Sequence, residues 1–336
     1  MSAAKRALKV AGITAGVAVG VAGAGYVAQR AVARGLRHRP DPDAGRLGAL
    51  PFDEAQRIPS HDGGSVYTVS RGSGPTIVLS HGVTLTSRIW VKQFRTLPEH
   101  GVRVVAFDHR GHGESVSGDS GHSVENLAWD VKTVLEELDL SDVVLVGHSM
   151  GGVAAQAFAV RHPDVAHRRV RGLVLQSTLA KTSISSSRRL RCTVERLSDK
   201  FDLGRLMSQP EVGTMLARIG FGREPLASHV ELTRQLLASC ETETGREATR
   251  ALLGLDLTAE LPKIELPTLV IGGTRDLLTP IGEARRIAAL VPGARLVEFE
   301  HAGHMLMLER TDTLDRLILD FAHEVWARPE PARTTG

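Results

Sequence analysis

The residues whose types and spacing suggest chemistry lie where the apolar run DVVLVGHS (142–149) passes into Gly147, His148, Ser149, Met150, Gly151 and Gly152. A G-x-S-x-G pattern between a buried strand and a helix lifts the serine hydroxyl clear of the sheet. Its glycines stand where side chains would clash in so tight a turn. A serine hydroxyl is a poor nucleophile at neutral pH and needs a base within hydrogen-bond reach, oriented by a carboxylate. Asp276 follows the run PTLVIGG and His304 follows ARLVEFE, so the chain supplies nucleophile, acid and base in the order Ser149, Asp276, His304. No carboxylate follows RGLVLQST, which leaves Asp276 with little competition for the acid role. His301 competes with His304, but His304 follows Gly303 and directly precedes the apolar MLML, a position at a loop end facing the serine turn. Attack on a carbonyl develops a negative oxygen that preorganised backbone N–H groups stabilise. The expected donors are Val83, in LSHGVTL, and Met150, which follows the serine.

These residues need a scaffold that delivers them to one edge. Strands are predicted at 65–70, 76–82, 102–108, 142–149, 171–178, 267–273 and 294–300, several nearly continuous in β-branched residues, as strands covered on both faces are. Between them Val124–Leu138, Met150–Arg161 and Thr313–Trp326 carry apolar residues at three- and four-residue spacing, with Ser123 or Ser141 as turn or cap residues. Alternating strands and helices predict an α/β fold with a doubly wound, mostly parallel sheet. Residues 179–255 break the alternation with helical patterns alone and read as a helical cap inserted over the carboxyl ends of the strands. Residues 41–61, rich in Pro, Asp and Gly, read as a linker into a domain spanning 62–326, with 327–336 as a tail.

The His81–Gly82 turn, FDHRGHGES (107–115), GHSMGG (147–152), the Asp after PTLVIGG and the Gly303–His304 pair occur here in the order that marks the α/β-hydrolase superfamily. Over about residues 62–326 the chain resembles its cap-bearing, lipase/esterase-like serine hydrolases. The resemblance implies Ser149 as nucleophile, His304 as general base and Asp276 as orienting acid, with no cofactor. Cleavage of carboxylic esters is the expected activity, on lipid or other hydrophobic acyl esters. Thioesterase, C–C hydrolase, cofactor-free perhydrolase or haloperoxidase, and slow-turnover ligand-binding members share this arrangement and stay open as alternatives. A Ser rather than an Asp at the elbow, and Val83-Thr84 after His-Gly, disfavour dehalogenase and epoxide hydrolase chemistry. Val83 also departs from the aromatic residue often found after His-Gly, which bears on the shape of the acyl pocket. Asp108, Arg110 and His112 are expected to hydrogen-bond their own Gly-rich loop, and His148 to pack the elbow.

Composition narrows the class. With 42% hydrophobic and 24% charged residues the chain is globular, and its net charge of +3 is unevenly distributed. Residues 1–40 hold seven basic side chains (Lys5, Arg6, Lys9, Arg30, Arg34, Arg37, Arg39) and no acidic one, whereas the rest holds 34 basic against 38 acidic. A mildly acidic body is a poor nucleic-acid binder. From Val10 to Ala28 run nineteen uncharged residues, about 28 Å as a helix. With basic residues at both ends they are expected to form a membrane anchor, the alternatives being a signal peptide cleaved after AGA (22–24), giving a secreted body, or a helix packed on the body. The repeat of Gly12, Gly16 and Gly20 fits close helix approach in a membrane. Metal- and nucleotide-binding signatures such as HExxH, the P-loop and GxGxxG are missing from the sequence, and no metal is expected. Cys192 and Cys240 read as free or buried thiols, a disulfide being possible only for an extracytoplasmic body.

Overall fold

The computed structural model describes residues 39–182 and 202–329, together with Gly35 and Cys192. The expected N-terminal helix, anchor or signal segment at 10–28 and most of the expected tail lie outside the described residues. Among those described, no helix is long and apolar enough to cross a membrane.

Eight strands form one sheet: β1 (Glu54–Pro59), β2 (Ser65–Arg71), β3 (Thr76–Ser80), β4 (Arg103–Phe107), β5 (Val143–His148), β6 (Val170–Gln176), β7 (Thr268–Gly273) and β8 (Arg295–Phe299), in the order β1-β2-β4-β3-β5-β6-β7-β8. From β4 onward all neighbours run parallel, while β1 and β2 are antiparallel additions at one edge. β3, β5 and β7 are buried along their whole lengths. Successive side chains serve opposite faces. Val143 and Leu145 of β5 enter one core with Leu127, Val131 and Phe158, whereas Val144 and Val146 enter the other with Trp90, Phe94 and Ile318.

The first core is closed by α2 (Val124–Glu137), α3 (Met150–Arg161), α4 (Pro163–Arg169) and α9 (Ile281–Leu290). The second is closed by the 3-10 turns at 87–90 and 97–100, α1 (Gln93–Thr96), α10 (Leu306–Glu309) and α11 (Thr311–Trp326). Ser123 caps α2, its hydroxyl accepting the Asn126 N–H at 3.0 Å.

One expectation needs correction. Residues 54–59, inside the stretch read as a linker, form β1, paired with β2 from Glu54–Ser70 to Pro59–Ser65. Of its six residues only Ile58 is buried, so it carries none of the apolar alternation by which a strand is recognised.

The insertion over the sheet contains α5 (Leu203–Ser208), α6 (Pro210–Arg218), α7 (Ala227–Ser239) and α8 (Thr242–Leu253). Its neck is closed where Leu257 N–H donates to Ala180 C=O at 2.8 Å and Lys181 pairs with Asp256 at 2.7 Å. The two cysteines are free thiols.

Candidate active site

β5 ends at His148, α3 begins at Met150, and Ser149 between them has φ 54° and ψ −118°. Such a backbone costs about 1–3 kcal/mol for a residue with a side chain and persists only where its surroundings impose it. Here Ser149 N–H donates to Gln176 C=O at 3.1 Å, and its own carbonyl accepts from the Thr178 hydroxyl at 2.7 Å and Val153 N–H at 3.0 Å. A Cβ on Gly147 would lie 2.6 Å from Gly152 Cα, and one on Gly151 would lie 2.5 Å from Ser80 Oγ. The glycines therefore let strand, turn and helix approach more closely than any other residue permits. Ser149 itself is half-buried amid buried neighbours.

Asp276 follows β7 and His304 follows β8. Their side chains meet, with His304 Nδ1 donating to Asp276 Oδ2 at 2.8 Å in a nearly solvent-free setting. Oδ1 of Asp276 accepts the N–H groups of Leu278 and Thr279, both at 2.8 Å, and the Thr279 hydroxyl donates to Oδ2 at 2.7 Å. Burial works to raise the Asp276 carboxyl, but His304 and these donors outweigh it and hold the group below its ordinary value. A carboxylate accepting at Nδ1 keeps the ring proton there and leaves the lone pair on Nε2. The ring of His148, the residue preceding Ser149, lies 4.6 Å from the His304 ring and donates from Nε2 to the His304 carbonyl at 3.2 Å. Ser149, Asp276 and His304 are thus gathered at one end of the sheet. His301 is not among them: it is exposed, at φ 62°, with its N–H on the Thr274 hydroxyl.

The His81–Gly82 turn presses on the elbow from β3. A Cβ on Gly82 would lie 3.1 Å from Ser149 Cβ, so Val83 follows at the edge of the serine turn. His81 donates from Nδ1 to Gly82 C=O at 2.7 Å and accepts His109 N–H at Nε2 at 2.9 Å. Thr84 adopts φ 58°, with its N–H held by His112 Nε2 at 3.1 Å. Burial pushes both rings down, His81 to about 4 and His112 to about 3, so they remain neutral acceptors. Asp108 accepts the N–H groups of Ser87 (2.7 Å) and Glu114 (3.0 Å), and Arg110 forks onto both oxygens of Asp130 at 2.7 and 2.8 Å. The expectation that these residues bond their own loop holds for Asp108 with Glu114 but not for Arg110, whose partners Asp62, Gly121 and Asp130 tie the loop to neighbouring segments instead.

A cavity of about 190 Å³ opens between Thr84 and the helical insertion, walled largely by apolar atoms of Leu203, Leu237, Cys240, Gly245 and Thr249. Sequence reasoning did not single out Thr279, which supports Asp276 through hydroxyl and backbone alike. The stretch D-L-L-T-P carried that signal as an Asx-type turn. Among the described residues, no group of three His, Cys, Asp or Glu side chains is placed to hold a metal.

A serine elbow, a buried Asp–His pair and this strand order together define a hydrolase of the α/β class. Residues 75–311 match the family model for the alpha/beta hydrolase fold, and the chain belongs to that family. It is 29% identical over 273 residues to the non-heme chloroperoxidase CPO-A1 of Kitasatospora aureofaciens, covering 79% of this chain and 98% of that protein. It is also 29% identical over 261 residues to the putative carbamate hydrolase RutD of Variovorax paradoxus, covering 77% of this chain and 96% of the relative. Among solved structures, a thermophilic esterase from Thermogutta terrifontis superposes with a TM-score of 0.68 at 26% identity, over 81% of this chain and 99% of that one.

Proposed function

We propose that the protein is a serine hydrolase that cleaves carboxylic esters of hydrophobic acids through an acyl-enzyme. The observation that carries this reading is the buried 2.8 Å bond from His304 to Asp276, set beside a serine held at φ 54°. In this mechanism His304 Nε2 takes the Ser149 proton as Oγ attacks the ester carbonyl. The N–H groups of Val83 and Met150 receive the developing oxyanion, each worth about 2.7–4 kcal/mol in the transition state. The proton passes to the departing alkoxide, and water, activated by the same imidazole, then releases the acid. The cavity beside Thr84, one residue from Val83, supports a hydrophobic acyl or alcohol group, since its walls are largely apolar although Glu241 and Arg246 also line it.

The likeness to a non-heme chloroperoxidase favours a second reading, in which hydrogen peroxide replaces water at the acyl-enzyme. The Ser149 ester bond then breaks, a peracid leaves, and the peracid oxidises halide outside the site. A fluorophosphonate probe and a chain-length series of p-nitrophenyl esters test the ester reading. Labelling at Ser149 and turnover, both abolished in Ser149→Ala, are expected, and an unlabelled Ser149 in folded protein would overturn it. Peroxide-dependent bromination in acetate exceeding ester turnover would favour the second. The uncharged run at 10–28 supports the further proposal that the body is held at a membrane surface, which brings lipid esters within reach. Complete recovery of uncleaved, C-terminally tagged protein in the soluble fraction would refute it.

A further inference from the structure

The loop that carries His304 is built against a segment of the helical insertion. Between α6 and α7 the chain runs through Gly220–Arg223, and there His304 N–H and Met305 N–H both donate to Gly220 C=O, at 2.8 and 3.2 Å. In return Arg223 N–H donates to His301 C=O at 2.9 Å. The two backbones touch without side chains between them. A Cβ on Gly222 would lie 2.7 Å from Gly303 N, and one on Gly303 would lie 2.7 Å from Phe221 Cα. Backbone packed on backbone leaves N–H groups that need acceptors. Glu309, at the end of α10, supplies them: its carboxylate accepts Gly222 N–H at 2.7 Å and Gly303 N–H at 3.0 Å.

We propose that Glu309 is a positioning residue for the reaction, clamping the His304 loop to the Gly220–Arg223 segment so that the imidazole is held in line between Asp276 and Ser149. One carboxylate joins two chain segments 81 positions apart in sequence and grips the residue immediately before His304. Charge-assisted bonds of this kind are roughly twice as strong as neutral ones. Burial raises the Glu309 carboxyl, an effect its backbone donors at Gly222 and Gly303 oppose. Arg218 adds support from behind, its guanidinium donating to Phe221 C=O at 2.8 Å.

This role rests on the reading of His304 as general base, and the experiment separates the two. Glu309→Gln keeps the volume and one acceptor but turns an NH2 toward the other N–H. Glu309→Ala removes both acceptors. On a p-nitrophenyl ester the expected result is a fall in kcat of about tenfold for Gln and about 10²-fold for Ala, as for displacement of a reacting group by a fraction of an ångström to one ångström. KM should stay within about threefold, and the rate of fluorophosphonate labelling should fall in parallel with kcat. Near-wild-type kcat in Glu309→Gln and Glu309→Ala, or a loss confined to KM, would overturn the positioning role. His304→Ala serves as the separate control, since full turnover in that variant would refute the base assignment itself. The isosteric Gln variant, with melting temperature followed alongside, keeps the test decisive if Ala does not fold.

Discussion

Replacing Asp276 by Asn tests the candidate site at its most constrained point. Oδ1 accepts two backbone N–H groups at 2.8 Å each, and Oδ2 faces His304 Nδ1 at 2.8 Å. Asn has one acceptor and one donor end. Turning its NH2 toward Leu278 and Thr279 would set it against two N–H donors, so the oxygen stays there and the NH2 faces His304. Nδ1 must then accept, which moves the ring proton to Nε2, the nitrogen that has to receive the Ser149 proton. The tautomer becomes wrong while the geometry stays intact, and the expected loss is about 10⁴-fold in kcat, or about 5.5 kcal/mol of transition-state stabilisation. The readouts are kcat/KM on a short p-nitrophenyl ester, the fluorophosphonate labelling rate and melting temperature. The Asp276 carboxyl is held below its ordinary 3.8, so the hydrogen-bonded carboxylate's contribution to wild-type stability is complete above that value and is lost as pH falls through the lower folded value. At pH 7–8 the Asn variant forgoes that contribution, so it should be nearly inactive and melt somewhat lower than wild type while remaining folded. Activity within tenfold of wild type, in the folded Asn variant, would refute the assignment of Asp276 as the group that orients His304.

Three further outcomes follow from the same geometry. Gly151→Ala brings a Cβ to 2.5 Å from Ser80 Oγ, so melting temperature should drop by an amount equivalent to about 1–3 kcal/mol and labelling of Ser149 should fall sharply; retention of both would contradict the close packing of the elbow. His81 is held neutral down to about 4, so its contribution is intact above an unfolded value near 6.5 and declines as pH falls toward 4, by about 3 kcal/mol in all. With His112 acting in the same sense, thermal denaturation scans should show steep destabilisation between pH 6.5 and 4.5, and a flat profile would count against neutral buried rings. Asp315, accepting from Gln93 Nε2 at 2.8 Å and from the Thr96 hydroxyl, is pushed by burial up to about 6. Its ionisation lowers stability as pH rises from 3.8 through 6, so Asp315→Asn should raise the melting temperature more at pH 8 than at pH 5, and an equal effect at both would refute this.

The sheet was legible where burial left an imprint. Strands covered on both faces are runs such as VVLVGH and TLVIGG, and Ser149 and Asp276 follow their ends; His304 follows β8, of which only Phe299 is buried. β1 left no such imprint, because an exposed edge strand is held by its backbone ladder to β2 and its side chains are free to be Glu, Gln and Arg. The same holds for Glu309 and the Gly222–Gly303 crossing. A glycine needed for backbone contact looks in sequence like a glycine in any turn, and a carboxylate serving distant N–H groups looks like a surface charge. Asp108 and Arg110 were legible as structural residues but not in their partners: only the Asp108 bond to Glu114 N–H stays within the Gly-rich turn, whereas Arg110 reaches Asp62, Gly121 and Asp130, which the local sequence does not announce.

The hydrogen bonds between Gly220–Arg223 and the His304 loop also bear on how such proteins can be recombined. An insertion with a closed neck, as at Ala180–Leu257, invites transplantation between relatives as a self-contained cassette. Here the cassette's boundary does not lie at the neck, because the acceptor for His304 N–H is a carbonyl inside the inserted segment. A chimaera that imported a foreign cap by cutting at 181 and 256 would remove a wall of the reaction loop together with the lid. Residues 301–309 would have to travel with the cap as its second, discontinuous half.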